Sequence, residues 1–131
     1  MKIKLSRIYV DDQSKALRYY TEVLGFIKKA DFSHGPHRWL TVAAADEPNG
    51  TELQLELIGN AAIQSYQQTL FQQNQPAAMF FTDDVKSDYD RIQARGTKFT
   101  MAPTDTGYAT IAILNDTCGN LIQITQLKRQ G

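Results

Sequence analysis

The stretch Val10-Asp11-Asp12-Gln13-Ser14-Lys15-Ala16-Leu17 decides the fold, because the chain repeats its pattern at Thr82-Asp83-Asp84-Val85-Lys86-Ser87-Asp88-Tyr89, 72 residues later. In both copies an alternating, strand-like run precedes the paired aspartates, and a helix-like stretch follows them. Each helix-like stretch ends at a glycine, Gly25 or Gly96. Self-similarity at a fixed offset indicates repeated supersecondary units. We therefore predict two copies of one unit.

Alternation and helical spacing define the elements of each unit. In the first strand Ile8 and Val10 point one way, while Arg7 and Tyr9 point the other. The predicted order is βαβββ, a connecting helix and βαβββ, with unit helices at about 13–24 and 85–95. We expect one α+β domain over 1–131: unit one at about 1–58, the connecting helix at about 60–73 and unit two at about 77–127. The two units should form curled mixed sheets around a shared cup.

Apolar residues on the helix-facing side of the strands and on one face of each unit helix form the predicted core. They are Ile8, Val10, Leu17, Tyr20, Leu53, Leu55, Phe80, Tyr89, Ile92, Ile122 and Ile124. The glutamines of the connecting helix, among them Gln67 and Gln68, indicate a solvated helix face.

Composition excludes several classes of protein. The chain has 14 basic and 14 acidic residues and no net charge, whereas a nucleic-acid binder normally shows a basic stripe. No apolar run approaches the roughly 20 residues that span a bilayer. The single cysteine, Cys118, cannot form an internal disulfide and is compatible with a cytoplasmic location.

The pair of units resembles the vicinal oxygen chelate superfamily, which includes glyoxalase I, bleomycin-resistance proteins and extradiol dioxygenases. The matching segments are 9–12, 16–26, 83–85, 95–96 and the closing turn and strand 116–123. They extend over essentially the whole chain. The resemblance implies the fold, and it also implies a homodimer, possible here by exchange of units across the connector 59–76.

Metal-dependent members of this family place a His on the first strand of a unit, seven residues before the helix-opening Asp, and a Glu on the last strand. Here those positions hold Leu5, Gln54, Ala77 and Gln123. Leu and Ala offer no donor atom, and an amide is a poor substitute for a carboxylate. A register shift would make Glu56 a ligand, but one carboxylate without histidines is not a site. We predict no metal and no cofactor.

Side chains on the other face of the strands, with nearby aromatic residues, form the predicted ligand-binding cup. They are Leu5, Arg7, Tyr9, Trp39, Gln54, Glu56, Ala77, Met79, Phe81, Tyr108 and Gln123. Such a lining suits a flat or partly apolar small molecule. Each aromatic residue taken singly is equally compatible with core packing or a dimer contact.

Charged and polar residues of the cup raise questions that sequence leaves open. Arg7 would pair with Glu56 or Glu52, which we favour, or with an anionic group of a ligand. Buried amides need partners, so we expect Gln54 and Gln123 to bond to each other, to Arg7, to water or to a ligand. The only histidines, His34 and His37, are interpreted as exposed loop residues.

The favoured function is a metal-free small-molecule-binding protein of the drug-sequestering type found in the bleomycin-resistance branch. One alternative is a glyoxalase- or dioxygenase-like enzyme with a non-family site, in which Glu56 or Glu52 acts as a general base. Another is a dimeric module whose cup is filled by side chains. The predicted partners are a small molecule and a second copy of the chain, without nucleic acid or membrane.

Overall fold

The computed structural model describes residues 1–128, which form two compact units, one covering Met1–Ser65 and one beginning at Tyr66. The first unit contains β1 (Leu5–Val10), α1 (Gln13–Arg18), β2 (Ile27–His34), β3 (His37–Ala43) and β4 (Glu52–Leu57). Its sheet has the order β1-β4-β3-β2. The β1–β4 pair is parallel and the other pairs are antiparallel.

The second unit repeats this arrangement. After α2 (Ala61–Gln72) come β5 (Ala78–Phe81), α3 (Val85–Ala94), β6 (Phe99–Asp105), β7 (Ala109–Asn115) and β8 (Leu121–Leu127). The sheet order is β5-β8-β7-β6, with β5 and β8 parallel. The predicted α+β fold of two βαβββ units with mixed sheets is confirmed. No helix within residues 1–128 is long and apolar enough to cross a membrane.

The repeated aspartates start the unit helices. Asp12 accepts a hydrogen bond from the backbone N–H of Lys15 at 2.9 Å, and Asp84 accepts one from Ser87 at 3.0 Å. Each carboxylate thereby satisfies an amide that has no partner inside the helix. The bond from Lys15 also lowers the pKa of Asp12 below its usual value.

The first unit helix differs from the prediction of one continuous helix over 13–24. Helix α1 ends at Arg18, and a π-helical turn, Tyr19–Val23, continues it. The hydroxyl of Thr21 donates to the carbonyl of Leu17 at 2.6 Å, a side-chain bond of the kind that bends helices. Both Tyr19 and Tyr20 are buried in this turn.

The core lies between each sheet and its helix, as the alternation predicts. Register places Ile8 beside Leu55, and both are buried. Most other predicted core residues are also buried: Val10, Tyr20, Ile92, Ile122 and Ile124. Four predicted core residues are only half-buried: Leu17, Leu53, Phe80 and Tyr89.

Gln67 of α2 is buried, contrary to the predicted solvated glutamine face. Its amide nitrogen donates to the Cys118 carbonyl at 3.3 Å and to the Asn120 side-chain oxygen at 3.2 Å. Asp116 completes the turn by accepting the backbone N–H groups of Cys118 and Asn120. The turn before β8 is thus anchored to α2 by polar contacts, which apolar periodicity alone does not reveal.

This anchoring predicts that Gly119→Ala destabilises the protein more than Gly96→Ala. Both glycines have a positive φ, +103° and +99°, so both substitutions strain the backbone by roughly 1–2 kcal/mol. A Cβ at Gly119 would also meet the Gln67 side chain at 2.7 Å, whereas a Cβ at Gly96 meets nothing within 4 Å. Displacing Gln67 loses two buried hydrogen bonds, about 1 kcal/mol each. Urea unfolding of both variants measures the difference.

A double-mutant cycle isolates the contact with Gln67. In a Gln67→Ala background, Gly119→Ala should cost no more than Gly96→Ala, because the obstructing amide is gone. An undiminished cost in that background would contradict the proposed contact.

Candidate functional site

A polar row runs along one face of the first sheet. The parallel register of β1 and β4 sets Leu5 beside Glu52, Arg7 beside Gln54 and Tyr9 beside Glu56. Since side chains alternate between faces along a strand, this row lies opposite the buried pair of Ile8 and Leu55.

A cavity of about 320 Å³ opens on this face, and all the residues that line it belong to the first unit: Arg7, Phe32, His34, His37, Arg38, Trp39, Gln54 and Glu56. Its volume lies at the lower end of the range for small-molecule sites, roughly 300–1,000 Å³. Four of the predicted cup residues meet here: Arg7, Trp39, Gln54 and Glu56.

Three of the lining residues form a hydrogen-bonded chain. Arg7 donates from Nε to the side-chain oxygen of Gln54 at 2.8 Å, and Gln54 donates from Nε2 to a carboxylate oxygen of Glu56 at 2.9 Å. Gln54 is only 1% exposed. Its carbonyl faces the cation and its NH₂ faces the anion, which is the orientation that both charges favour.

The prediction that Arg7 pairs internally with Glu56 or Glu52 is wrong. Its partner is the neutral amide of Gln54, which stands directly opposite Arg7 in the register, whereas each glutamate lies two residues further along the strand. Glu52 instead accepts a hydrogen bond from Thr41 at 2.6 Å. Within residues 1–128, the terminal nitrogens of Arg7 make no hydrogen bond or ion pair. Gln54 therefore bonds to Arg7, which was one of the partners predicted for it.

The second arginine of the cavity is already paired. Arg38 makes two bonds to Asp31, at 2.8 and 2.9 Å, and one to the Ser14 hydroxyl at 2.8 Å. The Arg38 guanidinium holds the pKa of Asp31 below its usual value. Apart from the two histidines, Arg7 and Glu56 are the cavity's available charges within residues 1–128, because the charge of Arg38 is balanced by Asp31.

Two aromatic residues, Phe32 and Trp39, line the same cavity as these charged residues. Phe32 of β2 stands beside Trp39 of β3, and His34 stands beside His37 at the end of the same hairpin. Phe32 and Trp39 are exposed in spite of their size. They form a surface on which a flat molecule can pack.

The two histidines are exposed but are not loop residues, since they end β2 and begin β3. They line the cavity, as do Phe32 and Arg38, and none of these four was among the predicted cup residues. The spacing of three of them, Phe32, His34 and His37, already indicated in the sequence that they share a face with other cavity residues. Phe32 and His34 lie two residues apart on one strand, and His37 and Trp39 do so on the next, so each pair shares a face.

The remaining predicted cup residues lie outside this cavity. Leu5 and Tyr9 occupy the same face of β1 without lining it. The others are in the second unit. Met79 and Phe81 lie on β5, and Met79 pairs with Gln123 of β8. Gln123 donates a hydrogen bond to the Thr125 hydroxyl at 3.1 Å. Ala77 precedes β5. Tyr108 is exposed between β6 and β7.

The metal that the resemblance implies does not fit these residues. The oxygen of Gln54, at a family ligand position, already accepts a hydrogen bond from the positively charged Arg7. Leu5 and Ala77 offer no donor. Among residues 1–128, no group of three or more His, Cys, Asp or Glu side chains is placed to hold a metal ion. Of the two proposed general bases, Glu56 lines the cavity and Glu52 does not.

Comparison with known proteins agrees with this architecture. The chain is 48% identical over 126 residues to the uncharacterized protein YurT of Bacillus subtilis (strain 168), covering 96% of this chain and 99% of that protein. The crystal structure of UcmS2 matches with a TM-score of 0.83 and 26% identity, over 95% of this chain and 97% of the other.

A second solved structure is described as an antibiotic-binding protein, TnmS3 of Streptomyces sp. CB03234. It matches with a TM-score of 0.76 and 28% identity, covering 98% of this chain and 97% of that one. The family model of the Glyoxalase/Bleomycin resistance protein/Dioxygenase superfamily matches residues 2–124. With its two βαβββ units and a match over nearly its whole length, the chain belongs to the Glyoxalase/Bleomycin resistance protein/Dioxygenase superfamily.

Proposed function

We propose that this chain is a metal-free small-molecule-binding protein that holds its ligand in the cavity of the first unit. The observation that carries the proposal is the chain of bonds from Arg7 through buried Gln54 to Glu56. Gln54, at a position where the resemblance implies a metal ligand, instead bonds to Arg7 and Glu56 and holds both side chains in place for a ligand, with no metal. TnmS3, similar over nearly the full chain, is described as binding an antibiotic, which supports a sequestering role.

The chemistry of the cavity favours binding through packing and hydrogen bonds. Phe32 and Trp39 supply apolar surface for a flat ring system, and Arg7 and Glu56 supply polar contacts of opposite charge. Aromatic side chains combined with placed polar groups are typical of small-molecule sites. Of the predicted cup residues outside the cavity, Leu5, Tyr9, Ala77, Tyr108 and Gln123 remain proposed ligand contacts. Met79 and Phe81 were predicted in the cup too, and we propose them instead for a dimer contact.

We also propose that the protein is a homodimer. One face of the second sheet bears the large apolar side chains of Met79, Phe81 and Leu127, which are 50%, 64% and 60% exposed. Contiguous exposed apolar surface indicates an interface. A net charge of zero leaves little repulsion between identical copies, which favours a second copy of the chain as the occupant.

A cytoplasmic location completes the proposal. Cys118 is the single cysteine of the chain and is buried, and a chain with one cysteine and no internal disulfide is typical of a reducing compartment.

Ligand binding should be independent of metal. A panel of flat aromatic antibiotics with different ring systems should raise the unfolding temperature equally with and without EDTA. Saturation at about a hundredfold excess over Kd stabilises by roughly 2.7 kcal/mol. Elemental analysis of tag-free protein should show no stoichiometric transition metal. Binding that is lost in EDTA and restored by zinc, nickel, manganese or iron would contradict the proposal, as would a complete absence of shifts across the panel.

Light scattering at micromolar concentration should give the mass of a dimer, and Phe81→Asp should reduce it to that of a monomer. A buried carboxylate in an apolar interface lacks a partner and is costly. Tyr66→Asp is the matched control, because Tyr66 is an exposed aromatic residue on α2, outside this sheet face. A wild-type monomer, or equal dissociation by both variants, counts against the proposed interface.

A further inference from the structure

The two available charges of the cavity are opposite in sign and are kept apart by a neutral spacer. Arg7 and Glu56 do not contact each other, because the Gln54 amide lies between them and bonds to both. Without the spacer, two such residues on neighbouring strands would be free to neutralise each other. The buried amide therefore keeps one donor group and one acceptor group open toward the cavity.

Each charge retains bonding capacity that the protein leaves unused. Arg7 engages only its Nε, and Glu56 accepts its bond through Oε2, within residues 1–128. Arg38, the other cation, is bonded to Asp31 and Ser14. An anion in the cavity therefore has Arg7 as its partner, and a cation has Glu56.

We infer that the ligand is an aromatic zwitterion: a flat ring system whose side chain carries an anionic group and a cationic group on one carbon atom. This inference rests on the proposed function. The anion binds the terminal nitrogens of Arg7, the cation binds Glu56, and the ring packs against Trp39 and Phe32. The required spacing between the ligand's anionic and cationic groups follows from Gln54. Its side-chain oxygen and nitrogen are attached to one carbon, and they bond to Arg7 and Glu56 respectively.

The second unit shows what the site would be without these charges. There the corresponding row is Met79, Gln123 and Thr125, and Gln123 donates to Thr125 as Gln54 donates to Glu56. The amide and its neighbour bond are kept, and both ionic groups are replaced by neutral ones. Gln123 is half-buried, whereas Gln54 is buried, so a glutamine at this strand position does not by itself require ionic neighbours, and we take the open ends of Arg7 and Glu56 as contacts for the ligand.

Four probes that share an indole ring separate the contributions of the two charges: tryptophan carries both, indole-3-propionate only the anion, tryptamine only the cation, and 3-ethylindole neither. Titration calorimetry with the wild-type protein should rank tryptophan first and 3-ethylindole last. Each charge-assisted contact should change affinity by about tenfold to a hundredfold.

Two variants should divide the probes in opposite ways. Arg7→Gln should weaken tryptophan and indole-3-propionate by about tenfold or more and leave tryptamine unchanged. Glu56→Gln should weaken tryptophan and tryptamine and leave indole-3-propionate unchanged. Gln54→Glu should place an anion beside Arg7 and make tryptamine the preferred probe. Arg18→Gln, which removes an exposed charge on α1, is the control and should change none of the four affinities.

The results that would overturn this inference differ from those that would overturn the proposed function. Equal affinity of the wild-type protein for all four probes, absence of tryptophan binding, or uniform weakening by both charge variants would overturn the zwitterion assignment. The proposed function survives those results if the flat antibiotics still bind without metal, and it fails only when they do not.

Discussion

The parallel pairing of β1 with β4 is the constraint on which both the core and the candidate site depend. One register sets Ile8 beside Leu55 in the core and Arg7 beside Gln54 on the opposite face. Because the side-chain period of a strand is two, a slip of one residue would exchange the two faces. A slip of β1 would turn Arg7 toward the core, and a slip of β4 would turn Leu55 away from it, so the apolar core fixes the position of the polar row with no contribution from a ligand.

That register also explains how Gln54 bonds to both Arg7 and Glu56. A carboxylate at position 54 would face Arg7 and be neutralised by it, whereas the amide bonds to Arg7 and still offers an NH₂ group to Glu56. The amide is buried, and a buried amide with an unmet donor or acceptor is costly. Arg7, Gln54 and Glu56 are therefore interdependent.

The repeat is preserved where it serves folding and has diverged where it borders the site. Asp12 and Asp84 cap their helices in the same way, and both sheets have the same strand order. By contrast, the row beside Gln54 is charged, while the row beside Gln123 is neutral. Capping and strand order are needed by each unit for its own stability, whereas the neighbours of the two glutamines lie outside the apolar core and can differ between the units.

Sequence alone determined the two βαβββ units, the helix starts at Asp12 and Asp84, and the face on which Arg7, Gln54 and Glu56 lie, because these follow from local periodicity and capping. It did not determine that Arg7 bonds to Gln54, since a strand pattern indicates the face of a residue but not its neighbour across the sheet. Gln67 was misjudged for the same reason, whereas His34 and His37 were misjudged because the ends of their strands were interpreted as a loop. The surroundings of the histidines come from the pairing of β2 with β3, and those of Gln67 come from the turn at Asn120. Strand register and contacts between segments distant in sequence are not specified by local periodicity, so only the tertiary structure decides them.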